Sequence, residues 1–373
     1  MASPFFLIEG ATALPGVDEA VPAHYGNPMV EQRTLDAGRA IVDLSHRAVI
    51  TVAGPDRLSW LHSMTSADLA TLQPGVSAET LVLDQQGHVE HAVKLVDDGE
   101  TTWMIVEPTA AAALVSWLDR MRFMLRVEVS DRTEDIAVVG FVGERPADVP
   151  AIVVRETELT WRDPWRDVVA GGHQYATGEH PGTGWDWSES LVERSALPSL
   201  ADGRSAATVA GSLAAEALRI AAWRPRAATE VDERTLPHEL DWLRTAVHLT
   251  KGCYRGQETV AKVHNLGHPP RRLVFLHLDG SDSVMPAGGA VVSDERGGEL
   301  REVGHITSAA MHHELGPIAL ALVKRTVDPQ AVLQVAEGEE IIAASQQVIV
   351  PSDAGAVADV PRLPRLGAVR RER

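Results

Sequence analysis

Cysteine is almost absent from this chain of 373 residues, in which Cys253 stands alone. An internal disulfide and a C-x-x-C zinc or redox pair are therefore excluded, and metal or redox chemistry at that thiol needs a second molecule, a cofactor, or histidine and carboxylate ligands. Positive charge is also short, with 34 Lys and Arg against 52 Asp and Glu and a net charge of −18. Nucleic acid draws most of its affinity from cations that neutralise phosphates, so direct nucleic-acid binding is not expected. No run of about 18 consecutive apolar residues occurs, which argues against a membrane span. The opening residues lack the basic segment and long apolar stretch of a signal peptide, so a cytoplasmic location is expected. Familiar catalytic signatures are missing too: there is no Gly-Lys dipeptide and hence no Walker A loop, no H-E-x-x-H, no G-x-S-x-G and no G-x-G-x-x-G. ATPase, zinc-peptidase, α/β-hydrolase and Rossmann dehydrogenase readings lose their usual support. Adjacent His312 and His313 are expected on opposite faces of a hairpin, so no metal site is assigned to them.

What is present describes a globular protein, with 45% apolar and 23% charged residues and a length that suits about two or three domains. Residues 1–30 read as an irregular lead-in carrying Pro15, Pro22 and Pro28. A β-rich stretch at 48–52 ends at Gly54-Pro55-Asp56 and feeds a helix bearing Leu58 and Leu61. Strands are predicted at 80–83, 89–96 and 102–106. A helix opening near Thr109 then places Leu114, Trp117, Leu118 and Met121 on one face, and strands follow at 127–129 and 136–142. Residues 145–205 are rich in Pro, Gly, Trp and Asp, with possible strands only at 152–154 and 168–170. A helix is predicted over 205–223. From Arg272 onwards, short β-like runs at 273–278, 290–293, 303–308, 318–323, 332–335 and 348–350 suggest a small antiparallel barrel. The Pro-, Ala- and Arg-rich stretch 351–373 reads as a disordered tail. Trp60, Trp117 and Trp242 are expected in the core.

The distinctive segment is Lys251-Gly252-Cys253-Tyr254-Arg255-Gly256-Gln257-Glu258. A cation stands on either side of the cysteine and an apparent helix starts just after it, two features that favour thiolate over thiol. Gly252 and Gly256 are read as serving backbone geometry.

This octapeptide, K-G-C-Y-x-G-Q-E, resembles the signature of the YgfZ family of folate-binding proteins, relatives of the aminomethyltransferase (T-protein) of the glycine cleavage system. Other segments agree in order: Gly54-Pro55-Asp56 with Leu61, Leu83 to Gly87, Leu218-Arg219-Ile220 with Pro225, Leu236 to Glu239, and Gly304 to Ser308 followed by Gly316 to Val323. The resemblance spans about residues 40–325. It implies an α+β, three-lobed ring of the aminomethyltransferase type. Its parts would be a discontinuous folate-binding lobe at 31–75 and 175–265, an inserted α+β lobe at 76–174, and a C-terminal antiparallel β-barrel at 266–350. It also implies tetrahydrofolate or a derivative as the cofactor, bound by candidates His91, Glu216, Arg219, Glu239 and Lys251, with Asp241 as a further possibility. Cys253 would be the functional thiol of an accessory protein that supports maturation or repair of iron–sulfur enzymes, including those that modify tRNA. Its partners would then be iron–sulfur proteins or their assembly factors.

Two departures from the pattern bear on function. His91 and Ala92 stand where the aminomethyltransferases have a pair of aspartates, so a competent glycine-cleavage aminomethyltransferase is not expected. In the R-I-E-x-G segment, Ala221 replaces the glutamate expected to grip the pterin and Trp223 replaces the glycine. The alternatives are a folate-dependent one-carbon transferase and a non-catalytic folate-binding scaffold.

Overall fold

A computed structural model describes residues 3–281 and 284–358. Two five-stranded sheets, a closed six-stranded barrel and a two-stranded ribbon, Val153–Val154 with Thr157–Glu158, make up its β-structure. The first sheet runs in the order Thr160–Arg162, Trp187–Glu193, Ile136–Val142, Ile41–Asp43, Val209–Ala210, and the second in the order Ser77–Leu83, Val89–Asp97, Thr101–Val106, Ala48–Ala53, Glu128–Asp131. The whole second sheet is inserted between two neighbouring strands of the first, Ile41–Asp43 and Ile136–Val142. The lobe boundary expected at 76 therefore moves back to the mid-forties: the 48–53 strand and the helix Arg57–Met64 belong with the inserted sheet, because Ala48–Ala53 pairs with both Thr101–Val106 and Glu128–Asp131.

Period-two alternation explains the central strand of the first sheet. Ile136 and Val138 enter one core, while Ala137, Val139 and Phe141 enter another, so the strand is apolar on both faces. The helix Pro108–Met121 turns Ala111, Leu114 and Leu118 onto the second sheet. Burying each of those leucines contributes about 1.5–3 kcal/mol.

The helix predicted over 205–223 is shorter, Ser212–Ala221, and Val209–Ala210 is a strand lying parallel to Ile41–Val42. Gly211 separates the two: a Cβ there would lie 2.1 Å from the Ala23 carbonyl oxygen, so only glycine permits the close approach that ends the strand and opens the helix. Residues 168–170 form no strand; the Val169 N–H donates to the Arg244 carbonyl at 2.9 Å within a loop. His312 ends a strand and His313 begins the turn, so strand alternation does not separate them, and their rings lie 4.6 Å apart. Among the described residues no group of three or more His, Cys, Asp or Glu is arranged to hold a metal, and no helix is long and apolar enough to cross a membrane.

The barrel closes in the order Arg271–Leu278, Gly316–Lys324, Glu299–His312, Val291–Arg296, Val332–Glu337, Glu340–Val348. Residues 351–358, at the start of the expected tail, pack back on the helix Gln257–Leu266. The Val357 and Ala358 N–H groups donate to the carbonyls of His264 and Asn265 at 3.0 and 3.2 Å, and Ala354 is buried. These contacts satisfy two of the carbonyls that a helix C-terminus leaves without intrahelical partners. The rest of the tail, 359–373, lies outside the described residues.

Candidate functional site

A cavity of about 790 Å³, including its open mouth, lies between the two sheets and the helix Ser212–Ala221. Six carboxylates (Asp18, Glu79, Glu107, Asp163, Glu189, Glu216) and five cations (Arg47, Lys94, Arg219, Arg224, Arg226) line it, with Trp185, Trp187 and Trp242. The Trp185 and Trp187 rings are stacked, 5.5 Å apart and 14° from parallel.

Nearly every charge is committed to a partner. Arg224 donates through Nε to Asp163 at 2.9 Å and through Nη2 to Glu79 at 2.7 Å. Trp185 and Trp242 donate their indole N–H groups to the same two carboxylates. Glu189 Oε1 accepts from Lys94 Nζ at 2.5 Å and from Trp187 Nε1 at 2.9 Å. Three buried atoms of the cavity lining have no hydrogen-bond partner among the described residues, Glu189 Oε2, Arg224 Nη1 and Arg47 Nε. Burial pushes the Glu189 carboxyl upward, but Lys94 and Arg47 outweigh it and hold the group below the ordinary carboxylate range. Glu189 thus presents an ionised, uncommitted acceptor in a low-dielectric setting, where an unmade hydrogen bond is expensive.

Of the sequence candidates, Glu216 and Arg219 line the cavity, joined to one another at 2.6 Å. His91 does not: strand alternation turns its neighbour Ala92, and then Lys94, to the cavity wall. Glu239 is fully buried away from the cavity, accepting from Arg271 at 2.8 Å and from the Leu236 N–H at 3.1 Å. Lys251 is not free to meet a ligand carboxylate. Its ammonium donates to the carbonyls of His62, Thr65 (2.6 Å) and Ala67 (2.8 Å) and lies 5.0 Å from the centre of the Tyr254 ring. Burial lowers its pKa to about 8. Ala221 itself lies outside the cavity wall.

The signature segment builds a braced loop beside the inserted sheet. Gly256 takes φ +82 just before the helix, and a Cβ there would lie 2.6 Å from the Asp84 carbonyl oxygen and 3.0 Å from Gly87 Cα. Gln257 Nε2 donates to the Lys251 carbonyl at 3.2 Å, Tyr254 is buried, and Glu258 stands in the first helical turn. Arg255 pairs with Glu90 at 2.6 Å, so both cations flanking the cysteine are engaged elsewhere. Cys253 is exposed and lies outside the cavity wall, as does the adjoining Gly252.

Trp223 shows why the family pattern has glycine at that point: its φ is +58, a left-handed conformation that costs a side-chain-bearing residue about 1–2 kcal/mol. Its ring packs edge-on to His180 at 5.2 Å. Sequence reasoning missed Glu189, Lys94, Arg224, Arg226 and the Trp185–Trp187 pair. The available signal was the alternation of Trp187, Glu189 and Leu191, three buried residues of one strand face, and the Arg224-Pro225-Arg226 run that follows a helix end.

Asp241, a further candidate, lies outside the cavity wall and is fully buried with φ +55. Its Oδ1 accepts from the Tyr175 N–H at 2.7 Å and its Oδ2 has no partner among the described residues. Desolvation pushes its pKa up to about 7, while burial lowers those of His238 and His180 to about 4 and about 3. The signs oppose. Asp241 removes stability as pH rises from the ordinary carboxylate value of 3.8 to about 7, whereas the two histidines add stability as pH rises from their folded values to the ordinary imidazole value of 6.5. Asp241→Asn, which tolerates the left-handed backbone, should therefore stabilise the protein by about 1–3 kcal/mol at pH 8 and not at pH 4. Urea unfolding midpoints at both values check this; an equal change at the two pH values would refute it.

Two five-stranded sheets around one cavity and a closed C-terminal barrel define the aminomethyltransferase-like fold. The same fold is seen in the crystal structure of the glycine cleavage system aminomethyltransferase T from Bartonella henselae, with a TM-score of 0.68, 18% identity and 94% of each chain covered. Residues 10–167 match the GCVT N-terminal domain and residues 271–351 the glycine cleavage T-protein C-terminal barrel domain. The chain therefore carries a GCVT N-terminal domain and, after it, a glycine cleavage T-protein C-terminal barrel domain. Relatives include an aminomethyltransferase of Corynebacterium aurimucosum, 25% identical over 87% of this chain and 90% of the relative. A chloroplastic Arabidopsis thaliana protein named only as a transferase is 24% identical over 81% of this chain and 70% of the relative.

Proposed function

We propose that the protein binds tetrahydrofolate or a derivative in the central cavity and acts as a YgfZ-like accessory factor for iron–sulfur enzymes, tRNA-modifying ones among them, with Cys253 as its working thiol. The observation that carries the folate reading is the uncommitted Glu189 Oε2 beside the stacked tryptophans. A pterin is planar and offers adjacent N–H donors on its 2-amino and N3 positions, with a carbonyl acceptor at C4. Glu189 Oε2 suits the donors and Arg224 Nη1 suits the carbonyl. Tetrahydrofolate would supply a one-carbon-carrying nitrogen pair when bound; the chain's own residues bind it, orient it and exclude water.

The relatives named aminomethyltransferase favour a second reading, a folate-dependent transferase. Against a glycine-cleavage step stands the cavity wall: Ala92, and not a carboxylate, faces inward where the family resemblance expects aspartate. A methyl group offers no fixed charge to a developing iminium. The iron–sulfur role is supported by the full K-G-C-Y-x-G-Q-E match and by the way the loop is braced while its thiol is left exposed.

One experiment tests both halves. Cys253→Ala and wild type are titrated with tetrahydrofolate by tryptophan fluorescence and compared, at matched protein levels, for rescue of iron–sulfur enzyme activities in a strain deleted for the gene. An exposed side chain contributes little to folding, so equal folate binding and loss of rescue are expected. Full rescue by the alanine variant would end the thiol mechanism; no saturable fluorescence change in either protein would end the folate reading.

A further inference from the structure

Beside the cavity, four carboxylates surround three guanidiniums. Arg226 contacts Asp18, Glu107 and Glu216; Arg47 contacts Glu107; Arg219 contacts Glu216 and Glu230. Four carboxylates against three guanidiniums leave one anion in excess, and Asp18 is the member of the four that is not on or beside a helix. It also has a different origin from the others. Glu107, Glu216 and Glu230 sit on or beside helices of the main body, whereas Asp18 comes from a surface loop closed by the Thr12–His24 bridge.

Residues 12–17, 19 and 20 of that loop are exposed, and Asp18 is the member that lines the cavity. Its two oxygens meet the two terminal nitrogens of Arg226 at 2.7 and 2.8 Å, the fork-to-fork geometry by which arginine binds a free carboxylate. His46 Nε2 approaches the same carboxylate at 2.7 Å. Burial opposes ionisation of Asp18, but the bonds from Arg226 and His46 prevail and hold its carboxyl far below the ordinary range.

We infer that the Arg226 fork is a subsite for a ligand carboxylate, occupied in the free protein by the chain's own Asp18 as a tethered stand-in, and that a carboxylate-bearing ligand displaces Asp18 and releases loop 12–24. Built on the folate reading, the ligand group is the glutamyl end of a folate, which would lie in the same cavity as Glu189. The subsite itself requires only a carboxylate. Displacement keeps the charge count unchanged, one anion leaving Arg226 as another arrives. It also leaves Glu107 and Glu216 on the guanidinium, so Arg226 is never stranded without a partner. While the loop is closed, ligand affinity is reduced by the fraction of molecules in which the fork is free.

Glutarate, a plain dicarboxylate, and 5-formyltetrahydrofolate are the probes, with amide hydrogen exchange of residues 12–24 and ligand affinity as the two readouts on the full chain. In wild type, saturating glutarate should raise exchange in the loop at least about fivefold. Asp18→Ala should show that fast exchange without ligand and bind glutarate at least about fivefold more tightly, as expected when a competing state is removed. Unchanged loop exchange at saturation, equal affinities, or no glutarate binding to either protein overturns the proposal. If glutarate frees the loop but 5-formyltetrahydrofolate binds neither protein, the folate reading falls and the carboxylate subsite stands. If the folate binds both proteins equally and leaves the loop closed, the folate reading stands and the tethered stand-in is wrong.

Discussion

Glu189→Gln is expected to weaken tetrahydrofolate binding by about two orders of magnitude while leaving the fold intact. The substitution keeps the side chain's shape, and Oε1 can still accept from Lys94 and Trp187. At Oε2 it puts an N–H₂ where the pterin presents its own N–H groups, so donor faces donor. Sites built around a buried hydrogen bond lose about 10⁴ to 10⁵ when a ligand lacks the matching group. A single mismatched atom with its charge removed should cost part of that. Glu239→Gln is the matched control. Glu239, unlike Glu189, was a candidate anchor on sequence grounds, but it is buried against Arg271 outside the cavity, so its substitution should leave folate affinity within about threefold of wild type, a shift below about 1 kcal/mol. Fluorescence titration of the two variants side by side decides. If Glu239→Gln loses binding and Glu189→Gln does not, the pterin site has been placed wrongly.

Arg224→Met should destabilise the chain by about 3–5 kcal/mol, the loss typical when one member of a buried ion cluster is removed. Glu79 and Asp163 are both almost fully buried, and Arg224 is the cation that stands between them. Each carboxylate keeps neutral donors, Trp242 and Thr245 for Glu79 and Trp185 for Asp163. None of these cancels the repulsion of two like charges in a dry interior. Arg224→Lys should recover only part of the loss, because one ammonium cannot serve two carboxylates with the separated nitrogens of a guanidinium. Equilibrium urea unfolding at pH 7.5 gives both values; a loss under about 1 kcal/mol for the methionine variant would show that the cluster contributes little net stability.

The difference between Glu189 and Glu239 also marks where sequence reasoning stops. Local chemistry was legible. Gly256 stood before an apparent helix and was read as a backbone requirement, and it has φ +82 against a crowded turn. The apolar spacing at Leu114 and Leu118 yielded a helix, and the short runs after Arg272 yielded strands of a barrel. Long-range partnership was not legible. Nothing near Lys251 in the sequence says that its ammonium closes on carbonyls of residues 62, 65 and 67. His91 and Ala92 looked equally placed, but the strand's alternation gives the cavity to the alanine. Val209 fits a helical stripe, yet pairing with Ile41 takes it into a sheet. Glu189 was hidden in the region whose prolines, glycines and tryptophans blur any periodicity, and its strand is defined by seven pairings with Ile136–Val142, about fifty residues earlier.

The packing of residues 351–358 onto the end of the signature helix has a consequence for the order in which the chain can be finished. The helix Gln257–Leu266 emerges during synthesis roughly a hundred residues before Val357 and Ala358, whose N–H groups occupy its last carbonyls. In between, every strand of the barrel is synthesised, because its final strand leads directly into the clamping segment. Until then the C-terminal turn of that helix is open to water and free to fray, while its N-terminal end, which follows the Cys253 loop, is already packed against Asp84 and Gly87. The far end of the signature helix thus reaches its final setting as one of the last events of assembly. A newly made chain can already have its sheets, its cavity walls and its Cys253 loop in place while the last turn of the helix behind that loop is still unsecured.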